Sequence, residues 1–189
     1  MRWCACVCWA VVWLALLIGG PLAAQDPARE GDGSTLEDLD WMVGDWVLVP
    51  DDEAKTKQAG AMRMSVRWEE GRAFLVREAT LTPPEESGEP VVTLQQRIGW
   101  DPLVDRIRSW SFSTDGSRGE ATWFRDGDSW VVRGTAVLPD GTQTSSINVY
   151  TFDGQDRCTW RVVRPALAAD DDPSARATWV RAPGSTTPR

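Results

Sequence analysis

The chain has 189 residues, of which 42% are hydrophobic and 25% are charged, and its formal net charge is −8. The excess of 28 Asp and Glu over 20 Lys and Arg argues against a nucleic-acid partner, because phosphates need a basic surface. The absence of histidine excludes a Ser-His-Asp or Cys-His nucleophile, a histidine zinc site and histidine-ligated haem. We therefore expect neither a metal nor a cofactor.

Residues 1–24 have the organisation of a secretory signal peptide. Arg2 precedes a charge-free apolar run from Trp3 to Gly20, and small residues follow up to Ala24. We expect cleavage after Ala24, export to the periplasm or the extracellular space, and no stable membrane insertion afterwards. An uncleaved anchor is the alternative, because the run is almost long enough to span a bilayer. Cleavage would leave Cys158 as the single cysteine, without a partner for an internal disulfide.

A short helix is predicted before the first strand. Residues 25–34 are polar and predict a flexible linker. Ser34 and Glu37 match a capping box, and apolar residues at helical spacing after them indicate one or two helical turns. Gly44 should end this helix, because glycine tolerates the left-handed conformation that terminates helices.

After Gly44 the hydrophobic pattern changes to the period of two that is typical of strands. Asp-Gly pairs between the strands supply residues that accept positive φ in tight hairpins. Residues 183–189 are predicted to form a disordered tail. The predicted strands after the first cover residues 62–68, 73–82, 92–100, 106–113, 120–125, 130–138, 143–152, 157–164 and 177–181.

This series of strands predicts an all-β fold. Short connections throughout favour an antiparallel meander, and closing the meander removes the two exposed edges of an open sheet. We therefore expect an antiparallel up-and-down β-barrel of about eight to ten strands. It should form a single domain over residues 35–182, with the N-terminal helix closing one end. A two-sheet sandwich is the main alternative.

The step Gly44-Asp45-Trp46 resembles the Gly-x-Trp signature of the calycin group, which includes the lipocalins, fatty-acid-binding proteins and nitrobindin-like barrels. The resemblance implies that a helical turn closes one barrel end and that the tryptophan packs beneath it. It also implies that a late arginine lies across the indole. Arg161 is our candidate for that arginine, and Arg164 is the alternative.

A closer resemblance covers most of the chain after the leader. It is to an uncharacterised lipocalin-like domain of secreted bacterial proteins, which often follows a SnoaL-type (ketosteroid-isomerase-like) domain. No such domain fits into residues 25–34 here. The resemblance implies the fold and export rather than a chemistry. Its motifs are LDWMVGDW, QRIGWDP, IRSWSF, DGSRGEATW, DGDSWVVRGTAVLPDG and TWRVVR.

Tryptophan is the most unusual feature of the composition, with 12 residues in the chain. Several fall on predicted strands, and some share a strand face with an arginine. If these faces point inward, a buried guanidinium needs a carboxylate or an anionic ligand head; if they point outward, the arginines stack on exposed indoles. The candidate ligand-binding residues are Trp68, Trp100, Arg108, Trp110, Trp123, Arg125, Trp130, Tyr150, Trp160 and Arg164.

The leading functional hypothesis is an exported, monomeric, lipocalin-like barrel that binds a small, partly apolar molecule, with an acidic group as one option. The first alternative is a structural or protein-interaction domain with a filled core. The second is an enzyme that uses paired carboxylates, for which Glu78, Asp101, Asp105 and Glu120 are candidates. No catalytic residue is assigned, and lone Cys158 is expected to be a small buried core residue.

Overall fold

The computed structural model describes residues 33–50, 61–83, 91–163 and 176–185. Within these ranges a 3₁₀ helix, Leu36–Met42, precedes ten strands. The strands are β1 (Gly44–Pro50), β2 (Ala61–Trp68), β3 (Phe74–Thr82), β4 (Val91–Asp101), β5 (Arg106–Ser113), β6 (Arg118–Asp126), β7 (Ser129–Val137), β8 (Gln143–Phe152), β9 (Arg157–Val163) and β10 (Arg176–Arg181).

The ten strands form a closed antiparallel barrel. Each strand pairs with its neighbours in the sequence, and β10 returns to pair with β1, where Trp46 lies opposite Arg181. The predicted meander and its closure are confirmed, and the two-sheet alternative is wrong. Closure satisfies the backbone groups that an open sheet would leave unpaired along its first and last strands.

The predicted Asp-Gly turns are also confirmed, since their glycines have positive φ, for example 57° at Gly127 and 84° at Gly141. In the turn after β7, the Asp140 carboxylate accepts a hydrogen bond from the backbone N–H of Thr142 at 2.8 Å. Hydrogen bonds from Thr142 lower the pKa of Asp140, because they stabilise the ionised carboxylate.

The helix begins one residue later than the capping box predicted from Ser34 and Glu37. Thr35 is the N-cap, and its backbone N–H donates to the Asp38 carboxylate at 2.7 Å. The helix ends at Met42, and Val43 is its C-cap in an extended conformation. Gly44 has a φ of 127°, but it lies in the first position of β1 rather than at the helix terminus.

The helix packs into the hydrophobic core of the barrel. Leu36, Leu39 and Met42 are buried, in one cluster with strand residues. Polar contacts join the helix to the same end of the barrel: Asp38 pairs with Arg125 at 3.3 Å, and the Asp40 carboxylate accepts from the Trp68 indole at 2.7 Å. We call this end the helix end and the opposite end the far end.

Trp46 is buried at the helix end, and its indole N–H donates to the Met42 carbonyl at 2.8 Å. The arginine above its ring is Arg181, with the guanidinium carbon 4.4 Å from the ring centroid. The expectation that Arg161 plays this part is corrected. Arg161 is exposed on β9, because the neighbouring Trp160 takes the inward position, and Arg164 lies outside the described residues.

Arg181, on the last strand, contacts the segment between the helix and β1. Its Nε donates to Asp156 at 2.8 Å, and its Nη1 donates to the Val43 carbonyl at 2.8 Å. Beyond β10, the Ser185 hydroxyl accepts from the Asp45 N–H at 2.8 Å, so this part of the predicted tail is hydrogen-bonded to β1.

Candidate functional site

The interior of the barrel differs between its two ends. The half nearest the helix is filled by large apolar side chains, as the filled-core alternative expects of the barrel interior. The residues of this cluster include Leu39, Met42, Trp46, Met64, Val66, Leu75, Ile98, Ile107, Trp123, Trp130 and Trp179.

The half toward the far end contains a cavity of about 420 Å³. Room for it comes from small side chains on β6 and β7, namely Gly119, Ala121, Gly134 and Ala136. Larger apolar side chains line other parts of the wall, namely Leu48, Met62, Leu94, Trp160 and Trp179. A volume of this size lies within the range of about 300–1,000 Å³ that is usual for small-molecule sites.

Arg77 is the charged residue at the base of this cavity. It follows the inward alternation of Leu75 and Ala79 on β3, and it is 8% exposed. Its Nη1 donates to the Tyr150 hydroxyl at 3.1 Å and to Gln96 Oε1 at 3.5 Å. In the barrel, β3 and β8 are five strands apart in both directions, so the contact between Arg77 and Tyr150 crosses the interior from one wall to the opposite one.

Hydrogen-bond donors exceed acceptors around Arg77. A guanidinium has five N–H donors and no acceptor, and in the described part of the chain only Nη1 of Arg77 has partners. Its Nε is buried without a partner. The Tyr150 hydroxyl accepts from Arg77, and its own proton has no acceptor among the described residues. Among the described residues, the cluster therefore has more hydrogen-bond donors than acceptors.

The charge of Arg77 is not neutralised by a described carboxylate. Glu78 is adjacent in sequence but points outward, where it pairs with Arg67 at 3.5 Å. Glu120 lies beside the cavity wall, but its carboxylate is held outside by Arg108 at 2.7 Å. A guanidinium held in a low-dielectric site without a counter-ion is costly, so a ligand anion would be favoured there.

The aromatic residues around Arg77 are held by hydrogen bonds and ring contacts. The Trp123 indole donates to Ser109 at 3.0 Å and stacks on Tyr150 with ring centroids 5.7 Å apart and an interplanar angle of 11°. Gln96 also donates to Ser109, at 3.2 Å, while accepting from Arg77. These contacts fix the positions of the Tyr150 hydroxyl and the Gln96 amide on two sides of the guanidinium.

A second polar group lies along β8. The Trp160 indole donates to Asn148 Oδ1 at 3.0 Å, and Asn148 Nδ2 donates to the Ser146 hydroxyl at 3.1 Å. All three residues line the cavity.

Cys158 is buried, as expected, at 2% exposure, on the inward face of β9. Burial raises the pKa of its thiol to about 12, although the charge of Arg77 acts in the opposite direction. The thiol is therefore protonated at neutral pH and is not an activated nucleophile.

Three of the predicted ligand-binding residues, Trp123, Tyr150 and Trp160, line the cavity. Trp130 is buried in the filled half, with its ring centroid 6.4 Å from that of Trp123. Arg164 lies outside the described residues.

Two of the predicted residues are at the helix end. The Trp68 indole donates to Asp40, and Arg125 pairs with Asp38. Both belong to the contacts that attach the helix to the barrel rather than to the cavity wall.

The three remaining candidates face outward. Trp100 is 39% exposed near the end of β4. On β5 the inward positions belong to Ile107 and Ser109, which places Arg108 and Trp110 on the outer surface. Arg108 pairs there with Asp101 at 3.2 Å, and its guanidinium carbon is 5.8 Å from the centroid of the Trp110 ring. Of the two orientations considered for this strand face, the outward one therefore holds, and Arg108 and Trp110 are not part of the cavity wall.

Arg77, Gln96 and Asn148 were not among the residues predicted from the sequence. A signal for Arg77 was available, because it alternates with Leu75 and Ala79 on a strand whose other face carries Glu78. Gln96 is a polar exception on the strand face of Leu94 and Ile98. The structure shows that this exception lies beside the cavity guanidinium.

In the described residues, no group of three or more His, Cys, Asp or Glu side chains could hold a metal ion. In the described part of the chain, no helix has the length and the apolar character that are needed to span a membrane. No protein-family model matches the chain, and no curated protein matches it in sequence.

Proposed function

We propose that this protein binds a small organic acid inside the barrel, with the acid group at Arg77 and an apolar body extending toward the far end. The observation that carries the proposal is the buried Arg77 guanidinium, which has spare N–H donors and no carboxylate partner among the described residues. An anionic head with two oxygens matches the geometry of a guanidinium better than a neutral group does.

The rest of the cavity fits the apolar part of such a ligand. Leu48, Met62, Trp160 and Trp179 offer apolar surface, and the small side chains of β6 and β7 leave room opposite them. A site that combines mostly apolar walls with a few placed polar groups is the usual form of a small-molecule pocket. The cavity counts against the alternative of a completely filled barrel.

The carboxylate-enzyme alternative has less support. The side chains of Glu78 and Glu120 bind arginines on the outside of the barrel, and so does that of Asp101. Asp105 is exposed in the turn after β4. Among the described residues these candidates do not converge on the cavity, whereas paired acid catalysis needs two carboxyl groups at one reacting centre.

The proposal includes the lipocalin-like arrangement and the export inferred from the sequence. The buried helix residues Leu39 and Met42, and the hydrogen bond from Trp46 to Met42, support a helix that closes the barrel end opposite the ligand. The signal-like residues 1–24 support export, and a monomer remains the expected state.

Binding can be measured by intrinsic fluorescence and calorimetry, because Trp123, Trp160 and Trp179 line the cavity. The ligands are octanoate, decanoate and dodecanoate, with benzoate and naphthoate as ring acids and the matching alcohols and amides as neutral analogues. We expect acids to bind and their neutral analogues to bind much more weakly. Arg77→Met should weaken acid binding by about ten- to a hundredfold, the cost of losing hydrogen bonds to a charged group.

Arg67→Met is the matched control, because Arg67 is an exposed arginine on the neighbouring strand that pairs with Glu78 on the outer surface. It should leave acid binding unchanged. Equal binding of acids and neutral analogues, or an equal effect of the two arginine variants, would refute the assignment of the head group to Arg77.

A further inference from the structure

The hydrogen bonds along β8 run in one direction, from Trp160 to Asn148 to Ser146. An indole nitrogen can only donate, so the Asn148 oxygen must face Trp160. The Asn148 NH₂ group then faces Ser146 and donates to its hydroxyl oxygen. The orientation of the amide thus follows from its partner.

This direction leaves the Ser146 proton available. The Ser146 oxygen accepts from Asn148, and its O–H group has no acceptor among the described residues. Ser146 lines the cavity on β8. A hydroxyl whose oxygen is already engaged by a donor is polarised toward donating its own proton. An acceptor atom on a bound molecule would complete the series of hydrogen bonds.

Ser146 lies well away from the proposed head-group site. It is four residues from Tyr150 on the same strand and on the same face, an offset of about 13 Å at a rise of roughly 3.3 Å per residue. Trp160 is paired with Tyr150 across the β8–β9 ladder, and its indole reaches toward Ser146 as far as Asn148, to which it donates. The wall between the two groups consists of the Trp160 indole and of Asn148, whose amide is already engaged by Trp160 and Ser146. We therefore expect a ligand that reaches both groups to have a mainly apolar stretch between two polar ends.

We propose that the cavity selects an organic acid that carries an oxygen acceptor far from its carboxylate, and that Ser146 is the residue that recognises this oxygen. The chemical class is an acid with a distal hydroxyl or carbonyl group. This inference rests on the proposed function, since it assumes that the acid group binds at Arg77. It adds a second point of recognition toward the far end of the barrel.

The test compares octanoate, decanoate and dodecanoate with their ω-hydroxy derivatives. For each chain length, the ratio of the Kd of the plain acid to that of the ω-hydroxy acid is measured in the wild type and in Ser146→Ala. At the chain length that spans the two sites, we expect this ratio to fall by about three- to tenfold in the variant, the usual effect of one neutral hydrogen bond. The α-hydroxy acids should show no such change.

Ser145→Ala is the control, because Ser145 is the exposed neighbour of Ser146 on β8 and points away from the cavity. It should keep the wild-type ratio. Undiminished binding of the plain acids by Ser146→Ala verifies that this variant is folded.

The outcomes separate the two proposals. If the plain acids bind and Arg77→Met abolishes their binding, but Ser146→Ala leaves every ratio unchanged, the distal-oxygen inference is wrong and the proposed function stands. If no acid binds the wild type, the proposed function fails and this inference fails with it.

Discussion

Replacement of Arg77 by methionine should make the ligand-free barrel more stable, although most substitutions of buried residues are destabilising. The wild type holds a guanidinium that is 8% exposed and has no carboxylate partner among the described residues. Holding a buried ion costs several kcal/mol in real proteins. Methionine keeps an unbranched apolar side chain in its place and removes that cost.

The gain is reduced by the hydrogen bonds that the substitution removes. Arg77 has one good bond, to Tyr150 at 3.1 Å, and one long bond, to Gln96 at 3.5 Å. A hydrogen bond to a charged group contributes roughly 1.5–3 kcal/mol to the free energy of unfolding at good geometry, and less at the longer distance. We therefore expect a net stabilisation of about 1–3 kcal/mol, within the range seen when buried ionic groups are replaced by apolar ones.

The measurement is urea unfolding of the ligand-free protein, supported by thermal melting. For a chain of this size, each kcal/mol corresponds to roughly 2–4 °C in Tm. Arg181→Met is the contrasting variant, because the Arg181 guanidinium is bound by Asp156 and by the Val43 carbonyl. It should lose about 1–3 kcal/mol, because the Val43 and Trp41 carbonyls lose a charged donor, whereas Asp156 is 74% exposed and is solvated by water when Arg181 is removed. Destabilisation of similar size in both variants would refute the reasoning that Arg77 is uncompensated.

Three further outcomes are expected. Trp46→Phe should cost about 2–3 kcal/mol in urea unfolding, because it removes buried ring area and leaves the Met42 carbonyl without its donor; a loss below about 0.5 kcal/mol would contradict the role given to this indole. The folded-state pKa of Cys158 lies above the thiol's ordinary value of 9.0, so its contribution to stability is fully present below pH 9.0 and is lost as the pH rises toward about 12. Unfolding measured over this range should show a steeper decline for the wild type than for Cys158→Ala, and identical slopes would argue against a buried thiol. Ala136→Leu should fill the cavity near the far end and weaken dodecanoate more than octanoate, as judged by calorimetry; equal losses for both acids would place the ligand body elsewhere.

The architecture was largely predictable from the sequence, because it depends on local patterns. Alternating residues predict strands, and the Asp-Gly pairs predict the turns between them. The contact between Trp46 and the helix was implied by the Gly-x-Trp resemblance rather than by these patterns, and the Trp46 indole does donate to the Met42 carbonyl. The N-cap was misjudged by one residue because Ser34 and Thr35 are both good capping residues, and only the hydrogen bond to Asp38 distinguishes them.

The direction of side chains was less predictable. On β5, Trp110 and Phe112 share one face with Arg108, and the sequence left open whether this face points inward. The smaller Ile107 and Ser109 are the residues inside the barrel. The Arg108 guanidinium lies over the outward Trp110 ring, whereas Phe112 on the same face is 59% exposed, so the size of a ring does not predict whether it is buried. A single strand with apolar residues on both faces does not reveal which face is buried.

The centre of the candidate site was not predictable from local patterns, because it depends on which strands face each other across the barrel. Arg77 and Tyr150 are 73 residues apart in sequence and meet only because β3 and β8 are opposite each other. The contact between the arginine and the Trp46 ring likewise depends on which strands are neighbours in the closed barrel. Arg181 reaches the indole through the β1–β10 pairing, which no spacing within the late strands specifies.

The pairing of β1 with β10, which closes the barrel, also affects how this protein folds. Arg181 contacts carbonyl groups that are 138 and 140 residues earlier in the sequence. The hydrogen bonds on the β10 side of β1 can therefore form only after the last strand has been placed. Pairing of such distant segments is slow, since the entropy of a large loop must be lost first. Until then β1 and β9 each present an open row of backbone groups, and β10 of a second molecule could occupy the gap, giving strand-exchanged dimers when folding is crowded.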